Sequence, residues 1–487
     1  MSQLFFKQGL HERPAQFEHY FRTYPNYGDH SAGYCVNCGM GEFKAWLRGL
    51  RVGPAELGIL RQHKNSQGEP VFAEDYLSWL ASIDFRVLNI RAVAEGRLVH
   101  PNTPLTVVEG PLAIAQLIET PLLAMLNYQT LIATRAARIK AAGRGRLMLD
   151  FGLRRGQGWG ANAGSRAALI GGADFSSNVG VSAAMGLAAR GTHAHSMVQV
   201  FMALGMSEFD AFMAYADLYP DQCLLLVDTV DTLNSGVPNA IRVFEHLKAQ
   251  GHEPVGVRLD SGDLAHLAIQ VRRQLDEAGF CAASIALSNN LDEMAIWQII
   301  TQIQNESYRY DVDATHLLDT LVWGVGTKLM TSDGAPALGG VYKLVSIQSE
   351  QGWQPAIKLS ESSMKTPNPG RKQLWRIYDQ RGLAAADFIS LEEESFESSS
   401  GLTLHHPIDT MRQRELEPGQ IDRIEPMLTQ VDLDDDELLQ NIRDRRNSDM
   451  ERLDLGVRRM INPHIYHVSL SEKLWNLKQT LIKRYRQ

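Results

Sequence analysis

Short apolar runs alternate with longer helical patterns through the middle of the chain, from residue 146 to residue 345. The runs recur about every 30 residues, which is the length of a βαβ unit. Most are apolar throughout, as parallel strands buried on both faces are, and most end in polar residues. The runs are Arg146–Phe151, Gly172–Val179, Gly191–Ser196, Cys223–Asp231, Pro254–Asp260, Ala282–Asn290 and Thr320–Thr327. The pattern predicts an α/β fold with an irregular β/α barrel, whose polar strand ends meet at one face.

The flanking segments show a different pattern. Residues 1–125 mix amphipathic helices with alternating strand-like runs, which indicates an α+β domain. An apolar helical pattern from Pro111 to Ala136 is interrupted by Pro121, so we expect two helical pieces there. No G-x-G-x-x-G fingerprint follows the first run, which disfavours a doubly wound dinucleotide-binding sheet. We therefore expect an α+β domain at 1–125, the barrel at 126–345, and a C-terminal segment at 346–487 that ends in a helical tail.

Composition narrows the class of partner. The chain has 48 basic and 56 acidic residues, a net charge of −8, whereas general nucleic-acid binding needs a basic surface. No apolar run approaches the roughly 20 residues of a membrane span, and Met1–Arg13 lacks the pattern of a secretory signal. Four cysteines do not make a disulfide framework, and the single CxxC at Cys35–Cys38 has no second pair to complete a zinc site. We expect a cytoplasmic protein with small-molecule substrates and neither nucleic-acid nor membrane partners.

The third run, Gly191–Ser196, carries two histidines two residues apart, which an extended strand end would place on one side. Histidine near its ordinary pKa acts as base, acid or nucleophile, so His195 is a candidate catalytic residue. Asp228 follows the apolar part of the next run, Leu224–Val227. A carboxylate beside a histidine fixes the tautomer of the ring and stabilises its cation, so Asp228 is a plausible partner of His195. The alternatives are a pair of structural histidines and, above all for Asp231, a helix N-cap.

The run Pro254–Asp260, with the residues that follow it directly, is the richest in chemistry. A guanidinium grips a planar carboxylate through two parallel hydrogen bonds, which suits Arg258 to an anionic substrate. Asp260 and Asp263, with Ser261 and Gly262 between them, suit ribose hydroxyls or a Mg²⁺ ion, which prefers few carboxylates plus phosphate.

The last two runs indicate phosphate binding. Gly324, Gly326 and Thr327 let main-chain N–H groups approach an anion closely. Ser288 and Asn289 precede a predicted helix, whose N-terminal amides present a similar site. Glycine turns are common, but two such turns beside a magnesium-suited pair indicate a phosphorylated sugar.

The first run offers a stacking surface. A flat ring could lie on Phe151 while Arg154 faces its anionic group. The alternative for Phe151 is an ordinary core position.

Together these stretches resemble the nicotinate phosphoribosyltransferase family, from about Gln8 to about Arg376. The resemblance rests on DFGLRR (150–155), SSNV (176–179), GTHAHS (191–196), DTVDT (228–232), GVRLDSGDL (256–264), SNNLDE (288–293), GVGTKL (324–329) and KLSESSMKTPNPGRK (358–372). It implies a type II phosphoribosyltransferase-like barrel, a second domain built from the N-terminal part and later segments, and a homodimer with sites at the interface. The implied reaction, a step of NAD biosynthesis, joins nicotinate to 5-phosphoribosyl 1-diphosphate, with Mg²⁺ as cofactor and coupled ATP hydrolysis. Its products are nicotinate mononucleotide and pyrophosphate.

The resemblance also implies residue roles. His195 is similar to the histidine phosphorylated by ATP, with Asp228 orienting it, whereas His193 fills a variable position with no chemical role. The implied nicotinate-binding residues are Phe151, Arg154, Thr192 and Arg258, and those for phosphoribosyl diphosphate and Mg²⁺ are Asp260, Asp263, the 288–290 turn and Gly324–Thr327.

The chain departs from the family in two places. The family normally begins with a T-D-L-Y-like motif, whose aromatic reaches a neighbouring subunit's ring site. This chain starts at Met1, just past that point, so either the native start lies upstream or we expect weaker base binding. The family often has Gly-Asp after the serine at 288, where this chain has Asn289 and Asn290, and we expect the lost negative charge to alter how Mg²⁺ or phosphate is held.

Two alternative functions stay open. Relatives that use nicotinamide place an aspartate at the position aligned with Ser177, and a carboxylate there would repel nicotinate, so serine favours nicotinate. An inactive, truncated relative could instead act as a binding subunit. The retained His195, Asp228, Arg258 and Asp260 favour an enzyme.

Overall fold

The computed structural model describes residues 1–360, 366–409 and 411–486. Its contacts divide the chain into two compact units, one formed by Met1–Leu131 with Ala337–Gln487 and the other by Ile132–Pro336. The sequence placed these limits at 125 and 345. Part of the basic segment 358–372, namely 361–365, lies outside the described residues.

The first unit begins with a mixture of helices and strands. In chain order these are α1 (Ser2–Lys7), β1 (Pro14–Phe21), β2 (Cys35–Val36), α2 (Met40–Gly49), α3 (Pro54–Gln62), α4 (Glu74–Ser82), β3 (Asn89–Val93), β4 (Leu98–Val99), β5 (Thr106–Pro111), α5 (Leu112–Leu117) and the start of α6 (Glu119–Ala142). The apolar pattern around Pro121 therefore forms two helices, as expected. Pro121 is the third residue of α6, where its missing N–H has no helical partner to lose.

The second unit repeats strand and helix. Its elements are β6 (Met148–Asp150), α7 (Gly160–Gly171), β7 (Phe175–Ser176), α8 (Val179–Ala184), α9 (His195–Ala203), α10 (Glu208–Leu218), β8 (Leu224–Leu226), α11 (Val237–Ala249), β9 (Gly256–Leu259), α12 (Leu264–Glu277), β10 (Ser284–Ser288), α13 (Glu293–Glu306), α14 (Ala314–Thr320), β11 (Leu321–Val325) and α15 (Thr327–Met330). Aspartate N-caps at Asp263, Asp292 and Asp313 start α12, α13 and α14.

The six strands of this unit form one parallel sheet in the order β7-β6-β11-β10-β9-β8. Six of the seven predicted runs contain these strands, and the sheet is a curled half-barrel, which confirms the expected fold class. The prediction was wrong for Gly191–Ser196, because residues 191–194 are irregular and His195 begins α9. Four of its side chains are polar or titratable, and a strand buried on both faces cannot accommodate them.

The irregular segment lies between the two edge strands of the half-barrel. Arg190 donates its main-chain N–H to Ser176 O of β7 at 3.0 Å. On the other side, Leu226 of β8 donates its N–H to His193 Nε2 at 3.0 Å. Segment 190–195 thus occupies the gap between the edges, joined to one of them through a side chain.

The rest of the first unit is rich in strands. Its elements are β12 (Gly340–Ser349), β13 (Gly352–Pro355), β14 (Lys372–Tyr378), β15 (Ala384–Leu391), β16 (Leu402–His405), β17 (Gln413–Leu416), β18 (Arg423–Pro426), β19 (Leu428–Gln430), α16 (Leu439–Arg452), β20 (Val468–Ser471) and α17 (Glu472–Arg486). The tail expected to be helical also contains strands β18, β19 and β20 beside α16 and α17. Strand β17 lies at the sheet edge with most of its side chains exposed, so it lacks the alternating apolar pattern of a half-buried strand.

Two six-stranded sheets organise the first unit. The order of one is β13-β12-β1-β5-β3-β19, and that of the other is β17-β16-β20-β15-β14-β18. In the first sheet the N-terminal strands β1, β5 and β3 lie between strands from the C-terminal segment, because β1 pairs with β12 and β3 pairs with β19. Main-chain hydrogen bonds therefore hold Met1–Leu131 and the C-terminal segment in one unit. Within the described residues, no helix is both long and apolar enough to cross a bilayer.

A buried ion-pair network joins the second of these sheets to α16. Arg376 of β14 donates Nε and Nη2 to the two carboxylate oxygens of Asp387 in β15, at 2.8 and 2.9 Å. Its Nη1 pairs with Asp449 of α16 at 3.0 Å, and Tyr466 donates its hydroxyl to Asp387. Arg376 and Asp387 are almost fully buried, so each charge is stabilised by its partner in place of water.

We expect Asp387→Asn to lower the free energy of unfolding by about 3–5 kcal/mol, because it leaves the Arg376 charge buried without its partner. Urea unfolding followed by circular dichroism measures the change. Glu74→Gln is the matched control, since Glu74 makes the same two-bond contact with Arg61 on the exposed surface. Equal losses for the two variants would contradict a special contribution from burial.

Candidate functional site

Polar side chains gather at the C-terminal ends of the parallel strands. Asp150 ends β6, Asp228 and Asp260 follow β8 and β9 closely, and Ser288 ends β10. Because all six strands run in the same direction, these ends meet at one edge of the sheet. That edge is where α/β barrels and open parallel sheets build their active sites.

His195 is held by a residue that the sequence reasoning missed. Its Nδ1 lies 3.0 Å from Thr229 Oγ1, which is hydrogen-bond distance. Its Nε2 faces Asp228 Oδ1 at 3.8 Å and Asp260 Oδ2 at 3.9 Å, which is too far for hydrogen bonds but close enough for charge interaction. Thr229 directly follows Asp228, so its position after β8 was the available signal.

Asp228 connects two neighbouring strand ends. Its Oδ2 accepts the N–H of Asp260 at 2.8 Å and the hydroxyl of Ser261 at 2.6 Å, which orders the turn after β9. Its Oδ1 is buried without a hydrogen-bond partner and is the atom that faces His195. A buried unpaired carboxylate oxygen is costly, and such groups mark functional sites.

Arg258 is the centre of the contacts. Its Nε donates to Ser288 Oγ and its Nη1 to Thr192 Oγ1, both at 2.8 Å, and its Nη2 lies 3.2 Å from Asp260 Oδ1. The guanidinium carbon lies 5.1 Å from the centre of the Phe151 ring. The structure therefore brings together five residues that the sequence placed in four different runs.

A solvent-open cleft of about 490 Å³ lies over this edge. Three arginines, one carboxylate and few apolar groups line it, so it suits an anionic ligand. The lining residues are Phe151, Arg154, Arg155, Arg258, Asp260, Ser288, Asn289, Asn290, Gly324, Gly326 and Thr327. Arg155, which was not among the predicted binding residues, lines the cleft with them.

Gly324 creates room for the aromatic ring. A Cβ at this position would lie 2.8 Å from Phe151 Cε2 and 3.2 Å from Ser288 Cβ, which is closer than packing allows. Glycine thus lets Phe151 pack directly against the β11 backbone. The neighbouring Asn289 and Asn290 have φ of 99° and 48°, in the left-handed region that asparagine tolerates better than most residues.

Several predicted residues serve the scaffold in this structure. Asp263 caps α12 by accepting the N–H of His266 at 3.1 Å, after a left-handed Gly262 with φ of 79°. Ser177 donates its hydroxyl to Asp150 O at 3.1 Å. Asp231 accepts the N–H groups of the following turn, so the capping interpretation holds for it.

His193 is chemically distinct from His195. Its Nε2 accepts the N–H of Leu226, while its ring lies against Tyr215 and Phe212 with centres 5.0 and 6.1 Å away. Burial is the main cause that lowers the pKa of His193 to about 4. The ring is therefore neutral at pH 7, and its Nε2 lone pair is already used.

The carboxylates suit a Mg²⁺ ion only in part. Among the described residues, no three histidine, cysteine, aspartate or glutamate side chains converge as a metal cage. Asp263 uses one oxygen for its cap and the other lies 3.4 Å from Gln302, whereas Asp260 Oδ2 and Asp228 Oδ1 accept no hydrogen bond within the described residues. Mg²⁺ is usually held by one or two carboxylates together with substrate phosphates, and Asp260 fits that arrangement.

Comparison with known proteins gives one consistent result. The models of the nicotinate phosphoribosyltransferase N-terminal and C-terminal domains match residues 1–127 and 371–478. Nicotinate phosphoribosyltransferase from Bacillus subtilis is 39% identical over 84% of this chain and 78% of its own length. The human protein of that name is 30% identical over 98% of this chain and 94% of its own.

A solved structure supports the same family. The crystal structure of human nicotinic acid phosphoribosyltransferase has a TM-score of 0.81 at 28% identity and covers 99% of this chain and 98% of the human chain. The similarity therefore includes both units as well as the local motifs. The chain belongs to the nicotinate phosphoribosyltransferase family of enzymes.

Proposed function

We propose that the chain joins nicotinate to 5-phosphoribosyl 1-diphosphate, forming nicotinate mononucleotide and pyrophosphate, with ATP hydrolysis coupled through a phosphohistidine. The observation that carries the proposal is the pairing of Arg258 with Phe151 at the cleft. A flat aromatic surface beside a guanidinium matches a ligand that is itself a flat ring bearing a carboxylate.

In this proposal Arg258 binds the nicotinate carboxylate and Phe151 stacks on the pyridine ring. Thr192 holds the guanidinium in orientation through its 2.8 Å hydrogen bond. Ser177, rather than an aspartate, follows β7 directly and adds no negative charge, which favours nicotinate over nicotinamide as the base.

The phosphoribosyl diphosphate lies beside the base. Asn289, Gly326 and Thr327 line the same cleft and offer an amide and main-chain N–H groups to its phosphates, while Arg154 is assigned to the nicotinate. Asp260 would hold Mg²⁺ together with the diphosphate, and the ion would neutralise charge on the leaving group. The pyridine nitrogen then attacks C1 of the ribose, the bond from C1 to the diphosphate oxygen breaks, and pyrophosphate leaves.

ATP acts through His195. A neutral ring nitrogen attacks the γ-phosphorus, the bond to the bridging oxygen breaks, and ADP leaves. The imidazolium that forms lies beside two carboxylates, Asp228 at 3.8 Å and Asp260 at 3.9 Å, which favour positive charge there. Attack of water on the phosphohistidine later releases phosphate and restores the free histidine.

We also propose that the protein forms a homodimer through the second unit. Val200, Met202, Leu204 and Met206 are all exposed in and just after α9, which His195 begins. Several large apolar side chains exposed to water within one short segment are typical of an interface. This surface adjoins the proposed ATP-reactive residue, as the family's interfacial sites lead one to expect.

We expect Arg258→Ala to lower kcat/KM for nicotinate by about 30-fold to several thousand-fold, because losing the partner of a desolvated charge typically costs about 2–5 kcal/mol. Turnover of nicotinamide, which has no carboxylate, should fall much less. Steady-state kinetics with both bases tests this, and Arg273→Ala on the exposed face of α12 is the control. Equal losses for both bases would show that Arg258 does not bind the carboxylate.

We expect radiolabel from the γ-phosphate of ATP to appear on the protein in an acid-labile, base-stable form, as phosphohistidine is. His195→Asn should abolish both this label and the stimulation by ATP, and leave slow ATP-independent synthesis. His246→Asn, a surface histidine paired with Asp217, is the control and should label normally. Label that persists in His195→Asn but disappears in His193→Asn would move the nucleophile two residues upstream.

We expect Leu204→Asp to convert the dimer to a monomer in sedimentation velocity at micromolar concentration, because it places a charge in an apolar interface. Ile59→Asp, at an exposed position on α3, is the control and should leave the mass unchanged. A wild-type chain that sediments as a monomer would refute the dimer. A dimer that is undisturbed by Leu204→Asp would place the interface elsewhere.

A further inference from the structure

One edge of the half-barrel is bonded to a side chain where a strand would ordinarily pair. The edge strand β8 pairs with β9 on one side, where Val227 N–H donates to Arg258 O at 3.1 Å. Successive N–H groups of a strand point to opposite sides, so that of Leu226 points away from β9. There it meets His193 Nε2 at 3.0 Å. An imidazole nitrogen thus accepts the hydrogen bond that a main-chain carbonyl of a neighbouring strand would ordinarily accept.

We propose that His193 is a positioning residue, whose neutral ring fixes segment 191–195 against β8 and so holds Thr192 and His195 in place for the reaction. The ring itself touches neither proposed substrate, and it acts through the residues on either side of it. The assignment of Thr192 and His195 to the reaction rests on the proposed function. The hydrogen bond from Leu226 does not.

The contacts around His193 leave it little freedom. Its Nδ1 lies 3.4 Å from Ala194 O, the main-chain acceptor that directly precedes His195. Its ring packs on Tyr215 of α10, with an interplanar angle of 63°. Burial lowers its pKa to about 4, which keeps Nε2 free of a proton and able to accept at neutral pH.

The opposite end of the segment is fixed independently. Arg190 donates its N–H to Ser176 O of β7, and its guanidinium lies 4.2 Å from the centre of the Phe175 ring. Between the two anchors, Thr192 meets Arg258. If only the hydrogen bond between Leu226 and His193 were lost, the segment would stay attached to β7. Thr192 and His195 would then no longer be held in a fixed position relative to β8.

His193→Phe and His193→Gln separate the hydrogen bond from the packing. Phenylalanine keeps a ring against Tyr215 but cannot accept, whereas glutamine can place an oxygen where Nε2 was. We expect His193→Phe to raise KM for nicotinate about tenfold with a smaller change in kcat, since an unpaired buried N–H costs about as much as one decade in binding. We expect His193→Gln to restore most of the loss. A purely structural role would reduce the active fraction and lower kcat at unchanged KM.

Amide hydrogen exchange tests the hydrogen bond without reference to catalysis. The Leu226 amide should be protected in the wild type and His193→Gln and exchange faster in His193→Phe, while the Val227 amide, bonded to β9, stays protected in all three. Rapid exchange of the Leu226 amide in the wild type would overturn the proposal, even if His193→Phe failed to fold. So would equal KM values in wild type and His193→Phe. Normal protection in a protein that does not turn over nicotinate would instead refute the proposed reaction and keep the anchor.

Discussion

The arrangement of side chains at the sheet edge depends on one partly buried guanidinium and on the groups that hold it. Arg258 contacts Ser288, Thr192 and Asp260 through its three guanidinium nitrogens. Strand β10, the segment after β7 and the end of β9 therefore all fix the orientation of the guanidinium. A donor held in place before the ligand arrives need not lose side-chain entropy on binding. The aromatic ring beside it is fixed as well, because Gly324 leaves space for Phe151 to pack against β11.

This arrangement explains why the sequence revealed so much of the site. Parallel strands bring their C-terminal ends to one edge, so polar residues at the ends of separate apolar runs had to be neighbours. Phe151, Arg258, Asp260 and Ser288 do line one cleft, although their roles stay predictions. Asp263 illustrates the limit of that reasoning, because an aspartate after a strand is equally the expected N-cap of the next helix, and it serves as one here.

The parts that sequence could not reveal have physical causes. Residues 191–196 occur at the place in the chain where the next strand was expected, but the segment bonds to β8 through the His193 side chain. A hydrogen bond made by a side chain does not require the periodic apolar pattern by which a strand is recognised in a sequence. The strands of the C-terminal segment were hidden for a different reason. Edge strands such as Gln413–Leu416 expose most of their side chains, so polarity hides the alternation that marks a strand.

The surroundings of His195 separate two tasks that one carboxylate was expected to perform. Thr229, at hydrogen-bond distance from Nδ1, sets the direction of the ring, and a neutral hydroxyl does so without drawing a proton onto it. Asp228 faces the other nitrogen with an oxygen that has no hydrogen-bond partner, while its second oxygen is committed to the turn after β9. A fixed, desolvated negative charge gains most when positive charge develops beside it, because its own solvation has already been lost in folding. The unpaired oxygen of Asp228 is therefore a cost to the resting fold that the proposed phosphorylation of His195 would offset.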